Sequence, residues 1–420
     1  MVVFPLNGKF DRKLAAASLL LGALSAALAA TSAAGQAAGE SGQAATTRES
    51  AGTSAPPTAD QIADWIGQLS DDSFLVRQAA ADRLLAGGFM ARAALVEVVD
   101  APDPETRAAA RRLLALIERS EFARRLADFA ADVDGRRGVT LPGWKAFGEL
   151  VGTDEAARAL FVDMQRCEAA LLARIVREDS IEPDRGWEER LFRLYNWQVA
   201  SGQRNAAPPL GSCATMLFLS CLPQTGGSAR GAIGVAELAK RPPIREAVVG
   251  NQPQIAVRRL LLAWVNHCPV QNERVLGSRL ELMSLYELRE ALPLALAVAR
   301  GESPYLAATA NSRVIATLVI GRFGSAEQAN DLEPLLADDT VWTAVGPPGN
   351  ARAVQVRDVA LATMLHLTGQ QPQDYGFTGA QRHPQLLFNP QSLGLADDAA
   401  RAAAAAKWRA WKDAHVGRGD

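Results

Sequence analysis

From Ala59 onward the apolar residues return at steps of three and four, and strict alternation of apolar with polar positions is nearly absent. That period predicts a chain of amphipathic helices with few strands. One local pattern occurs five times: a residue followed by Arg, with apolar residues four and eight positions after the first. It reads Val76-Arg77 with Ala80 and Leu84, Thr106-Arg107 with Ala110 and Leu114, and Val257-Arg258 with Leu261 and Val265. It returns as Ser312-Arg313 with Ala316 and Ile320, and as Val356-Arg357 with Ala360 and Met364. Steps of four hold these positions on one helix face. Where the fourth position is small, as in the four copies with Ala, it lets a neighbouring helix come close. By the same pattern Ala360 is a close-approach position and Asp358 belongs to another face.

Between the copies the pattern is helical but less regular. Residues 154–178 read as one long amphipathic helix with Asp154 as its N-cap and Leu160, Met164, Cys167, Leu171 and Ile175 as its apolar stripe. Leu141-Pro142-Gly143-Trp144 is a turn leading into Trp144, Phe147 and Leu150. Loops are expected at 202–209, 224–231 and 342–350, and a long one over 369–394. A helix over 397–415 closes the chain, with Trp408 and Trp411 on one side sealing the end. The remaining tryptophans on helical stripes, Trp65, Trp144 and Trp264, read as core, as do Trp187 and Trp197.

Around the five copies the context repeats too: an apolar helix, an Asp/Pro turn, the Arg-bearing helix, then often Gly. The segments LVRQAAADRLLAGG, DPETRAAARRLLALI, SRVIATLVIGRFGSAEQANDLEPLLADDT and VQVRDVALATMLHLTG carry it. Together they resemble HEAT repeats. The resemblance implies an all-α α-solenoid of stacked helical pairs, in which no pair can bury its apolar face alone. It covers about 59–120 and 251–369, with Arg77, Arg107, Arg258, Arg313 and Arg357 as the structural repeat positions. Adjoining copies are spaced irregularly, and although Asp103 stands in the turn before Arg107, no Asp stands just before Arg258, Arg313 or Arg357.

The N-terminus reads as an address. Lys9, Arg12 and Lys13 precede an uncharged apolar run from Leu14 to Ala30, which ends in small residues suited to cleavage after Ala29 or Ala30. Residues 1–30 are therefore expected to be a secretory signal peptide and the chain to be exported, to the periplasm, cell envelope or exterior. Residues 31–58 are rich in Ala, Gly, Ser, Thr and Gln, end in Pro56-Pro57 before Thr58, and have no aromatic or large aliphatic side chain. They read as a disordered linker, since they cannot bury enough surface to offset their ordering entropy. The folded part divides into N-terminal HEAT-like helices (59–120), an irregular helical middle (121–250), C-terminal HEAT-like helices (251–369), the long loop (370–394) and a capping helix with tail (395–420).

Composition narrows the function classes. The chain has 420 residues, 48% of them hydrophobic, enough for a sizeable core. Taking away Lys9, Asp11, Arg12 and Lys13 leaves 41 basic and 45 acidic residues, a net charge of −4 with no polybasic tract. Nothing in that balance points to nucleic acid, and no segment after the signal is long and apolar enough to span a bilayer. The four histidines (His267, His366, His383, His415) show no ligand spacing, so no metal and no cofactor are expected. Cys167, Cys213, Cys221 and Cys268 contain no CxxC; Cys213 and Cys221 sit eight apart on one helix, too far for a bridge. Asp71-Asp72 and Asp397-Asp398 read as helix caps, and Glu188-Glu189 as a solvated helix face. No nucleophile elbow or phosphate loop is present, so no catalytic residue is assigned.

These readings lead to the expectation of an exported, non-enzymatic scaffold that binds protein on its helical-repeat surface. Trp342 in the insertion, with Tyr375 and Phe377 in the long loop, are the expected partner contacts. The alternative is a hydrolase-type enzyme built in the middle segment, which would need His267, Cys268 and acids from 180–250 brought into one cleft.

Overall fold

Helix follows helix from Ala59, and several begin at a side-chain cap, among them Asp103, Asp154, Ser228, Asn272 and Thr309. A computed structural model describes residues 56–175, 186–197, 202, 206–225, 227–269, 272–302, 304, 308–346 and 351–416. The signal, Ala29, Ala30 and nearly all of the linker lie outside the described residues. From residue 59 on, the chain is a single, mostly helical unit.

The first helices are α1 (Ala59–Gly67), α2 (Phe74–Gly87), α3 (Phe89–Glu97) and α4 (Pro104–Ala131). Asp103 caps α4 by accepting from the Thr106 amide, and Pro104 takes the first turn, where no amide donor is needed. The middle contains α5 (Trp144–Val151), α6 (Glu155–Ile175), α7 (Gly186–Tyr195), α8 (Leu210–Cys221), α9 (Ala229–Ala239) and α10 (Pro242–Val249). Then come α11 (Ile255–His267), α12 (Glu273–Leu285), α13 (Leu292–Arg300), α14 (Ala310–Phe323) and α15 (Glu327–Leu332). After a two-stranded hairpin, α16 (Val356–Leu367) and α17 (Asp398–Val416) finish the fold.

Two cores are buried. One gathers Ile62, Leu69, Ala80, Leu84, Leu95, Ala110 and Ile117; the other runs from Leu126 to Trp408. Helix α4, about 42 Å long, contributes Ile117 to the first and Phe129 to the second. The division expected at 120/121 thus falls inside a continuous helix.

The five-fold pattern has a consistent physical meaning. Every residue at its fourth and eighth positions is buried: Ala80 and Leu84, Ala110 and Leu114, Leu261 and Val265, Ala316 and Ile320, Ala360 and Met364. The arginines hold turns. Arg77 and Arg107 donate to carbonyls of their own preceding turns, at Asp71 (2.5 Å) and Ala101 (2.7 Å). Arg258 reaches ahead to the Tyr286 carbonyl (2.9 Å) and the Glu290 carboxylate (2.8 Å), Arg313 to Asp338 (2.9 Å), and Arg357 to Asp398 (2.9 Å). Asp103, by contrast, caps α4 and leaves Arg107 to backbone carbonyls.

Helix α6 departs from the expected stripe. Asp154 caps it as its position requires, accepting from Ala157 at 2.9 Å, and Leu160, Met164 and Leu171 are buried. Cys167 is exposed instead, because Glu168 adopts a non-helical backbone (φ −139°, ψ 30°). The kink turns the register, so Glu168 points in and Cys167 out. Opposite it, α8 packs so closely that a Cβ on Gly211 would stand 2.2 Å from the Asp163 carbonyl oxygen.

Two loop expectations are corrected. The insertion carries a hairpin, β1 (Val341–Val345) paired antiparallel with β2 (Arg352–Gln355), placing Thr343 opposite Val354 and Val345 opposite Arg352. Trp342 is a strand residue, half-buried, and donates from its indole nitrogen to Asn311 at 3.0 Å. The 369–394 loop is largely packed: it holds short 3-10 turns at Pro372–Tyr375 and Pro390–Leu393 and buries Tyr375, Phe377, Phe388 and Leu393. Trp408 and Trp411 stack at 5.3 Å, with Trp408 buried.

Candidate interaction surface

Large apolar side chains left in water are concentrated in the first four helices. Of fourteen exposed large hydrophobic residues among those described, seven fall within residues 74–116: Phe74, Leu75, Leu85, Phe89, Met90, Val96 and Leu116. Phe74 keeps 65% of its surface exposed and Phe89 67%. Burying an aromatic side chain is worth about 1.5–3 kcal/mol, so exposure on this scale marks a face that covering would stabilise.

The local sequence explains the exposure. Phe74-Leu75 and Phe89-Met90 are adjacent apolar pairs at helix starts, and neighbours on a helix point about 100° apart. The core face of α2 is already taken by Ala80, Ala81 and Leu84. Phe74, Gln78, Ala81 and Leu85 follow at steps of four, three and four along one flank of that helix.

That flank meets α4 in an open groove of about 270 Å³ lined by Phe74, Arg77, Gln78, Glu105, Ala109 and Arg112, among others. Arg77 lies 3.8 Å from Glu105, so the first turns of the two helices meet at this end of the groove. Further along the same flanks, Leu85, eleven residues beyond Phe74, and Leu116, eleven beyond Glu105, are exposed. This face was not foreseen from the sequence; the signal available was the pair of apolar doublets at helix starts.

The three aromatics expected as partner contacts do not form a surface together. Tyr375 is 6% exposed, with its hydroxyl bonded to Gln370, and Phe377 is 1% exposed. Both are core residues, because the loop around them folds back onto α16 and α17 and needs apolar filling of its own. Trp342 alone keeps part of its ring at the surface.

Polar clusters are largely satisfied among themselves. The Glu168 carboxylate, buried at the α6 kink, accepts two-pronged bonds from Arg190 (2.8 and 2.6 Å) and a third from Ser212 (2.6 Å). Glu188 accepts from the Ser228 amide (3.0 Å) and hydroxyl (2.6 Å), which corrects its reading as a merely solvated acid. Arg158 is buried against the rings of Phe129 (4.4 Å) and Trp144 (4.9 Å) and donates to the Phe129 carbonyl. Asp132 is held below the usual carboxylate range chiefly by the backbone amide of Arg137, with the Val139 amide adding to it. An open cleft of about 670 Å³ lies between the starts of α9 and α12, lined by Arg230, Ile233, Asn272, Glu273 and Arg274 among others.

Cys213, Cys221 and Cys268 are buried, and burial pushes the Cys213 thiol up to about 12. Cys167 is exposed, and its partial burial raises its thiol as well. His267 is exposed at the end of α11 while Cys268, next to it, is buried. Among the described residues no group of His, Cys, Asp and Glu could hold a metal ion, and no helix is long and apolar enough to cross a membrane. No family model, curated protein or solved structure matches this chain.

Proposed function

We propose that this chain is an exported, non-enzymatic interaction scaffold whose helical pairs stack in the manner of a HEAT-like α-solenoid and bind another protein. One observation carries the reading: half of the large apolar side chains exposed among the described residues lie on the first four helices. Isolated exposed apolar residues are ordinary, but a concentration of them on one small part of a fold is what a protein partner would cover. The arginine contacts support the repeat reading, since Arg258, Arg313 and Arg357 each tie their helix to an acid 25 to 41 residues further on. Stacked helical pairs gain their stability from such neighbour interfaces.

The test is site-specific photo-crosslinking in the cell envelope. A photoreactive residue at Phe89 should give a discrete crosslinked species, and one at the solvent-facing Arg83 of α2 should not. Crosslinks from neither position, or equally from both, would remove the scaffold reading.

A further inference from the structure

The groove between α2 and α4 holds Phe74, Ala108 and Ala109 beside Arg112, and this combination selects a partner. On α4, Glu105, Ala108, Ala109, Arg112, Leu116 and Arg119 recur at steps of three and four and form one stripe. Two basic groups on this stripe have no carboxylate partner among the described residues. Glu105 lies against Arg77, and Asp82 accepts from Gln78 at 2.9 Å. Arg112 and Arg119 bracket Leu116 at steps of four and three, and among the described residues neither meets a carboxylate.

We propose that this groove binds an acidic amphipathic helix from another protein. Its apolar face would lie on Ala108, Ala109, Leu116, Phe74 and Leu85, with carboxylates about two turns apart answering Arg112 and Arg119. This rests on the scaffold reading and gives it a site and a partner chemistry. The length suits a helix: the flank of α2 from Phe74 to Leu85 and that of α4 from Glu105 to Leu116 are each about 16 Å long, three turns. The alanine floor lets a backbone approach closely, as an apolar helix face in a groove requires. The chain's own residues 31–58 are poorly suited to the place, having no aromatic or large aliphatic side chain to lay into it.

The probe is a fluorescein-labelled four-turn peptide with leucines at steps of three and four and glutamates on the flanks, read by fluorescence anisotropy. A twin carries lysine at each glutamate. The glutamate peptide should bind and weaken at high salt, and the lysine twin should not bind. Arg112→Glu with Arg119→Glu should weaken the glutamate peptide by about tenfold or more and admit the lysine twin. Both arginines are exposed, so the thermal melt should be unchanged. Ala108→Trp, also at an exposed position, should block both peptides by filling the floor. No binding of the glutamate peptide, equal binding of both, or binding that survives the double reversal would overturn the proposal. So would a dimer, seen by sedimentation, that the double reversal dissolves, because the occupant would then be a second copy. If these fail while Phe89 still crosslinks a partner, the groove assignment falls and the scaffold reading stands.

Discussion

Arg401 closes on Asp358 with two parallel hydrogen bonds, Nε to Oδ1 at 2.8 Å and Nη2 to Oδ2 at 3.0 Å, and the carboxylate is 1% exposed. The pair fastens α17 to the first turn of α16. Asp358 has a second task there: its Oδ2 accepts the Gln355 amide at 3.0 Å and completes a capping box. From its spacing it belongs to a different face from Ala360, where a change to alanine is expected to be mild. The structure corrects that, since an N-terminal turn can turn an acid toward a helix that arrives forty residues later.

Asp358→Ala should therefore be severe. Loss of the carboxylate leaves the buried Arg401 with only the exposed Asp398 (3.1 Å) and the Ala353 carbonyl (2.8 Å) and removes the cap on Gln355, at a cost of about 3 kcal/mol. Ala360→Glu should be severe for a different reason: Ala360 is fully buried, overpacking alone costs about 1–3 kcal/mol, and the carboxylate would be buried unpaired. Urea melts should show both variants well below the parent. A parent-like midpoint for Ala360→Glu would break the drawn repeat register.

Gly211→Ala and Gly67→Ala make a matched pair. At Gly211 a methyl group would collide with the backbone carbonyl of Asp163, which cannot swing aside, so about 1–3 kcal/mol of stability should be lost. At Gly67, which has helical dihedrals (φ −60°, ψ −30°) and nothing within 4 Å of the added carbon, alanine should stabilise by about 0.4–1 kcal/mol. Melts showing equal effects would refute the packing of α8 on α6.

Thiol labelling of the reduced, folded protein should count one fast cysteine. Cys167 is exposed, while Cys213, Cys221 and Cys268 are buried and the thiols of Cys213 and Cys221 are pushed upward by desolvation. Cys167→Ser should abolish the fast phase, and unfolding should release the other three. Two or more fast thiols in the native protein would contradict the burial.

Two groups predict how stability changes with pH. His366 is held below its ordinary 6.5 by burial and by the Arg382 guanidinium 3.3 Å away. A neutral form favoured by folding stabilises above the unfolded value and loses that contribution as pH falls below about 6.5. The imidazole resonance of His366 should titrate below 6.5, and Arg382→Gln should move it upward. Asp154 is lowered from 3.8, first by its bond to Arg259 and then by the Ala157 amide. Its contribution is present above pH 3.8 and disappears at lower pH, so Asp154→Asn should flatten the acid limb of the stability profile. Identical acid limbs for parent and variant would exclude that assignment.

Export is tested by N-terminal mapping of protein from the native envelope. A mature chain starting after Ala29 or Ala30 is expected. An intact Met1 on cytosolic protein would end the export reading.

The sequence by itself determined the helices and the faces they bury. Helical period is a local property, so the ten residues following the five arginines could be placed in the core from spacing alone, and caps such as Asp103 and Asp154 act within three residues of themselves. What only tertiary structure decided were the matters set by distant partners. Whether Tyr375 and Phe377 met solvent or core depended on where their loop closed against α16 and α17. Whether Asp358 was spare or buried depended on Arg401, and the inward turn of Glu168 on Arg190 and Ser212 opposite a kink. The groove between α2 and α4 exists because two helices thirty residues apart meet at their first turns, and no periodicity along either one records where the other lies.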